Sequence, residues 1–250
     1  MIYGLYLSAQ GAEVQSVRQD VLSHNLANAS TPSFKRSLVL AQSHVPFDVA
    51  HGNPCDPPGD LNNQTGGVSI LGTPVDYSQG GFDITNGKFD IALAGPGFYK
   101  VSGNGQNYLT RDGRLNMDRD GRLTLRETGQ SVVGTNGTPI LLDPSGLPPM
   151  IGSDGTISQG STVVGQLSLV SPPDVRALQR VGDNLYLPTG REQPTTDTSV
   201  KQGALEISGA RPVIEMMELI ESSRMFEANV NMIKYQDESL GKLIESLPRR

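Results

Sequence analysis

The stretch from Arg211 to Leu247 constrains the fold most. From Met216 it carries Leu219, Ser223, Phe226, Val230, Ile233, Asp237, Leu240, Ile244 and Leu247, and eight of these ten positions are apolar. Alternating steps of three and four average 3.5 residues, the period of a coiled-coil seam. Pro212 suits a first helical turn, and Glu215 and Glu218 lie near the positive end of the dipole. Lys242 and Pro248 mark the end. About 36 residues rising ~1.5 Å each give a rod of roughly 54 Å, some three times a usual globular helix. Such a rod is not stable alone in water. It needs a second helix along its length, from this chain or from another copy. Gly241 costs about 1 kcal/mol in a helix interior, and Asp237 interrupts the seam, so the last two turns should stay soft until something packs on them.

The partner is predicted at the other terminus. Leu7, Val14, Val17 and Val21 fall on one stripe, widened by Leu22 and Leu26, before Thr31-Pro32 ends the helix. No basic leader precedes a long apolar core, so no cleaved signal peptide is expected. No run approaches the roughly 18 apolar residues of a membrane span. Two striped terminal helices can pair as a hairpin closed by everything between them, with the ends ordering fully only on assembly.

A chain of 250 residues makes one large or two modest domains. Its 29 glycines and 17 prolines concentrate between the two helices, so the middle is turn-rich. A net charge of −6 argues against nucleic acid as a partner. The polar face of the long helix is acidic (Glu215, Glu218, Glu221, Glu227, Glu238, Glu245), unlike a membrane-surface helix. The single cysteine, Cys55, excludes an internal disulfide and a cysteine zinc cage.

Residues 31–75 read as an irregular connector with Val68–Leu71 as a short strand. From Gly80 short alternating runs begin: Phe82–Ile84, Phe89–Leu93, Gly97–Val101, Tyr108–Arg111, Leu115–Met117, Leu123–Leu125 and Ser131–Val133. Asn86-Gly87, Asn104-Gly105, Asp112-Gly113, Asp120-Gly121 and Asn136-Gly137 are turn signals. Ile140–Leu142, Ile157, Val163–Val170 and Asn184–Leu187 continue the series to about residue 205. The fold class is therefore α+β, a discontinuous terminal α-helical coiled-coil hairpin plus a central all-β domain. The predicted divisions are residues 1–30 (first helix), 31–75 (connector), 76–207 (β-domain) and 208–250 (long helix).

Asn116 to Glu127 has oxygen-bearing residues at positions 1, 3, 5 and 12 and glycine at 6, the spacing of a calcium loop. The alternation of Leu115, Met117, Leu123 and Leu125 and the three arginines in the stretch favour a hairpin turn instead. His24, His44 and His51 have no carboxylate partner in sequence, and no G-x-S-x-G elbow or complete phosphate loop occurs. No enzyme, cofactor or metal is expected.

Asn25-Leu26-Ala27-Asn28 followed by Thr31-Pro32-Ser33-Phe34-Lys35-Arg36 resembles the N-terminal signature of the bacterial flagellar axial proteins, the rod and hook subunits. Phe89 to Val101, with Gly97-Phe98, and then Tyr108-Leu109-Thr110-Arg111-Asp112-Gly113 resemble that family's central β-domain motif. Gly203-Ala204-Leu205-Glu206, Glu215-Met216-Met217 and Ser223-Arg224-Met225-Phe226-Glu227-Ala228-Asn229 resemble its C-terminal signature. His24 stands where the family usually has Asn, Ser33 where it has Gly, and Gly209 where Asn is common. Length and the Arg-x-Phe-Glu form at Arg224 look most like the proximal-rod branch, with the distal-rod branch as the alternative.

The resemblance implies a structural subunit. Its terminal stripes, with Asn25 and Asn28, would make the assembly interface, alongside Met216, Leu219, Phe226, Val230, Ile233, Leu240, Ile244 and Leu247. Thr31, Phe34, Lys35, Arg36, Gly97, Phe98, Arg111, Gly113, Glu206, Arg224 and Glu227 are the family-motif positions. Implied partners are other copies, neighbouring rod subunits and the flagellar type III export apparatus. The implied place is the periplasmic rod of the basal body, where subunits stack helically around a channel. Glu206 and Arg224 are a candidate registry pair. From other classes, a calcium-dependent binding module and an adhesive β-protein on a coiled-coil stalk remain open.

Overall fold

A computed structural model describes residues 2–45, 66–103, 105–195 and 197–246. The readings above that fall on His51, Cys55, Leu247, Pro248 and residues 46–65 of the connector lie outside the described residues. The chain divides into two compact units. One holds the described parts of Met1–Ala27, Ser37–Pro74 and Arg211–Arg250; the other holds Asn28–Arg36 and Val75–Ala210.

The first unit is built on two helices, α1 (Ile2–Ala27) and α2 (Pro212–Ser246, 35 residues). They run antiparallel, since Gly4 faces Gln236 and Asn25 faces Glu215. Leu219, Phe226, Ile233 and Leu240 of the expected seam are half-buried. Met216 and Ile244, expected on the seam, are exposed (44% and 69%), as is Asp237. The contact is turned by about one residue. Its centre is Glu215, Ser222, Asn229 and Gln236, each one place before Met216, Ser223, Val230 and Asp237. The reason is steric. Gly4 and Gly11 of α1 leave room for the amides of Gln236 and Asn229, which an apolar seam would not fill as well.

Two strands lie within the predicted connector. β1 (Leu40–Ser43) and β2 (Val68–Gly72) form an antiparallel ribbon. The Val68 amide donates to Gln10 Oε1 on α1 (3.2 Å).

The second unit is antiparallel β throughout. Its strands are β3 (Phe82–Ile84), β4 (Ile91–Ala94), β5 (Phe98–Gly103), β6 (Gln106–Thr110), β7 (Leu115–Met117), β8 (Leu123–Leu125), β9 (Ser131–Val132), β10 (Pro149–Ile151), β11 (Thr156–Gln159), β12 (Thr162–Gln166), β13 (Leu169–Ser171), β14 (Gln179–Gly182), β15 (Leu185–Leu187), β16 (Gln193–Pro194), β17 (Ser199–Gln202) and β18 (Ala204–Glu206). The main sheet runs β14-β15-β6-β5-β9-β8-β7, with β13 bridging β5 and β16. β10-β11-β12 form a three-stranded sheet, and the pairs β4/β17 and β3/β18 join the start of the domain to its end. Period-2 alternation placed most of these strands. It missed β10 and β16, which contain prolines, β14, which ends in glycine, and the closing strands β17 and β18. Ile140–Leu142 makes one isolated bridge, Leu141 to Arg122, rather than a strand.

Ile91, Leu93, Tyr99, Val101, Leu123, Ile157 and Leu167 centre the larger core. A smaller core gathers Phe98, Leu109, Val170, Leu178 and Tyr186. Asn86 (φ +53°), Gly121 (+79°) and Gly137 (+77°) adopt the left-handed turn conformation that the sequence predicts. Gly113 is required for another reason: a Cβ there would sit 1.5 Å from the Ile91 carbonyl oxygen. Gly113→Ala is expected to cost about 3 kcal/mol by forcing β4 away. Urea unfolding, followed by tyrosine emission since tryptophan is absent, would measure it.

Candidate functional site

Three separated motifs meet at one buried carboxylate. Glu206, at the end of β18, is 1% exposed. Its Oε1 accepts from Lys35 Nζ at 2.6 Å and from the Gly80 amide at 2.8 Å, and its Oε2 faces Arg111 Nε at 3.5 Å. Lys35 also donates to the Ser78 carbonyl (2.7 Å), and Arg111 donates to the Gly95 carbonyl. Two buried cations around one carboxylate need such extra partners to offset their desolvation. Burial holds the Lys35 ammonium below its usual range, and Glu206 opposes that shift.

Residues 28–36 form a strap over this cluster. The Ser33 amide donates to the Glu206 carbonyl (2.8 Å), and the Gly209 amide to the Phe34 carbonyl (2.8 Å). Arg180 donates to the Lys35 carbonyl (3.0 Å) and lies 4.6 Å from the Phe34 ring centre. Asn184 donates to the Pro32 carbonyl (3.2 Å). Ser33 holds the left-handed turn (φ +60°), so a serine carries the conformation a glycine would take more easily. Arg36 pairs with Asp76 at 3.3 Å. The strap belongs to the β-rich unit, not to a loose connector.

The remaining motif positions of this unit support the same cluster. Arg111 lies 5.7 Å over the Phe98 ring, and Phe98 meets Tyr77 and Tyr186 edge-on at 6.1 and 5.8 Å. Gly97 (φ +142°) leaves room for Thr195 and Thr198. Asp112 receives a two-point fork from Arg114 (3.0 and 2.7 Å). Thr31 closes the turn after α1 through its amide to the Asn28 carbonyl (3.1 Å). Asn28 itself, expected on the assembly face, sits in this unit, where its carbonyl accepts from Ser208 (3.0 Å).

Glu206 is thus committed to Lys35 and Arg111, so it is not the partner of Arg224 that the sequence suggested. Arg224 and Glu227 are exposed on α2. Sequence reasoning missed Ser78, Gly80, Arg180 and Asn184, whose contributions are backbone groups or side chains distant in sequence.

In the helical unit, Leu7, Val14, Val17, Val21 and Leu26 of α1 are half-buried and Asn25 is buried. The exposed side of α2 carries Ile214, Met217, Ile220 and Met225, which with Arg224 and Ala228 line a shallow apolar groove.

Asn116–Glu127 is a hairpin, with Met117 opposite Leu123 and the Asp118 amide bonded to the Arg122 carbonyl at 2.9 Å. Glu127, the twelfth position of the calcium spacing, pairs with Arg114. Among the described residues, no three His, Cys, Asp or Glu side chains are placed to hold a metal, and no helix is long and apolar enough to cross a membrane.

Residues 5–35 match the family described as flagella basal body rod protein, and residues 201–246 match the flagellar basal body rod FlgEFG protein C-terminal family. Flagellar basal-body rod protein FlgF of Caulobacter vibrioides is 34% identical over 232 residues, 91% of each chain. The chain belongs to the flagellar basal-body rod family. Among other members, FlgG of Buchnera aphidicola (subsp. Schizaphis graminum) is 31% identical over 97% of this chain and 99% of its own. FlgF of Salmonella typhimurium is 33% identical over 97% of both. The two matched family segments hold Lys35 and Glu206, the two ends of the buried ion pair.

Two tests follow from the cluster in this rod-family chain. Lys35→Met should cost about 3–5 kcal/mol, and Glu206→Gln more, because it strands two buried cations; chemical denaturation decides. The second test concerns pH. Burial, and after it Tyr186, pushes Tyr77 from 10.0 up to about 12. A raised acid keeps its stabilisation below the unfolded value and loses it as pH rises through the folded one. Stability should therefore fall between pH 10 and 12 and fall less in Tyr77→Phe. Lys35, held low, acts oppositely, its penalty fading as pH rises toward 10.5.

Proposed function

We propose that this chain, a structural subunit of the flagellar basal-body rod, occupies the proximal segment of the rod. It assembles helically through its terminal helices into the hollow drive shaft that transmits torque and encloses the export channel. Family membership supports the rod role. The Arg224-Met225-Phe226-Glu227 sequence supports the proximal position over the distal one. Delivery through the flagellar type III apparatus to a periplasmic site completes the reading.

The observation that carries the assembly mode is the outer side of α2. α2 is amphipathic twice over. One side meets α1, and another leaves Ile214, Met217, Ile220, Met225, Met232 and Tyr235 exposed. Exposed contiguous apolar surface on a stable helix marks a contact site. A same-chain coiled-coil hairpin that offers this surface to the next subunit makes a heterologous contact, and such contacts propagate when the rotation does not close. At about 25 cal/mol per Å², each thousand Å² of apolar surface so covered contributes roughly 25 kcal/mol before ordering costs. The turns beyond Leu240, where a Cβ on Gly241 would meet nothing within 4 Å and residues 241–245 are exposed, are the part left for neighbours to order.

Met217→Asp and Ile220→Asp should leave the free chain's helix content and melting unchanged, because both side chains are already in water. Each should prevent incorporation into the rod and abolish swimming. Normal motility with both changes would refute assembly through this face. Phe226→Asp and Ile233→Asp should also stop swimming, but with a loss of monomer stability, since these side chains are half-buried.

A further inference from the structure

The contact between the two helices is polar at its centre, and on α2 the polar groups recur every seven residues. On α2 they are Glu215, Ser222, Asn229 and Gln236; on α1 the facing layers include Gly4, Gly11 and Asn25. Each layer has a different fit. A Cβ on Gly4 would lie 2.9 Å from Gln236 Nε2, and one on Gly11 would lie 3.0 Å from Asn229 Nδ2. Ser222, fully buried, donates to Gln15, whose Oε1 and main-chain oxygen are 2.8 and 3.2 Å away. Asn25 (1% exposed) donates to Glu215 Oε2 at 3.3 Å and to the Ser37 carbonyl at 2.9 Å, and it accepts from the Ser37 amide. Arg18 adds a half-exposed pair with Glu218 at 3.4 Å.

We infer that Gly4, Gly11, Asn25, Glu215, Ser222 and Asn229 are register-determining residues, which give the chain's two ends one alignment and disfavour every heptad slip. A slip of seven residues moves one helix about 10 Å along the other. In one direction Asn229 meets Arg18 in place of Gly11, and Glu215 runs past the end of α1. In the other, Ser222 faces Gly11 across a void, and Asn25 loses its carboxylate. Either slip leaves buried polar groups without partners, which costs more than their pairing gains. An apolar seam of equal spacing would tolerate both slips. A polar residue at a core position of a helix pair trades stability for a single register in this way. Within the rod reading, on which this use of the device rests, a fixed register sets the apolar outer residues of every copy at the same height.

The experiment places spin labels at Asp20→Cys and Lys234→Cys, both exposed, in the full-length Cys55→Ser chain and measures the distance distribution by pulsed electron resonance. One narrow distance is expected, and it should persist in Glu215→Gln. Glu215→Leu/Asn229→Leu should keep its helix content by circular dichroism and gain a second population displaced by about 10 Å. A single unchanged distance in that double variant overturns the inference, as does a broad or double distribution in the labelled parent. Should the double variant lose helix content, Glu215→Leu alone carries the same two outcomes. Failure of the rod reading stays distinguishable: a slipped double variant that still builds working rods would remove the use in assembly and leave register control standing.

Discussion

The carboxylate of Glu206 is the point on which the β-rich unit depends. It sits at the end of β18, away from water, and collects the Lys35 ammonium, the Arg111 guanidinium and the Gly80 amide. A charge in such a place is tolerable only when every partner arrives, because any one missing leaves an uncompensated ion. The charged groups come from the separate segments 31–36, 97–113 and 203–206. Lys35 and Arg111 supply charge, Phe98 and Phe34 supply the aromatic faces against which Arg111 and Arg180 lie, and Gly113 admits the Ile91 carbonyl. Three signatures far apart in the chain are one structural object.

The helical unit follows the opposite economy. The centre of its inner contact is made of amides, a carboxylate, a serine and glycines, and apart from the buried Ala12 and Leu22 much of its apolar material faces outward or stays half covered. An isolated globular protein would be poorly served by that distribution. A rod subunit associates with other rod subunits, and exposed apolar surface of this kind marks a contact site.

Much of this was legible in the chain. The 3.5-residue period announced a long helix, and the structure places it at Pro212–Ser246. Period-2 runs between Asn-Gly and Asp-Gly turns announced an all-β middle. The face of α2 was misplaced by one residue because Asn229 and Gln236 look like surface residues unless the glycines opposite them are known, and Ser222 does so unless Gln15 is known to face it. Periodicity reports where apolar residues lie, not which neighbour is close enough to need a small side chain. The strap at 28–36 resembled a connector for a related reason. Its hydrogen bonds end on the 76–80, 180–184 and 206–209 segments, and no local pattern encodes partners at that separation. Glu206 carried a visible signal as a motif residue, but an acidic residue in a strand suggests solvent until its two cations are located.

Lys35 and Glu206 are 171 residues apart. A polypeptide emerges amino end first, so the strap waits unseated while nearly the whole middle of the molecule is made. Closing so wide a loop comes late in folding and is slow. A newly made chain therefore passes through an interval in which its Lys35 segment is still pliable.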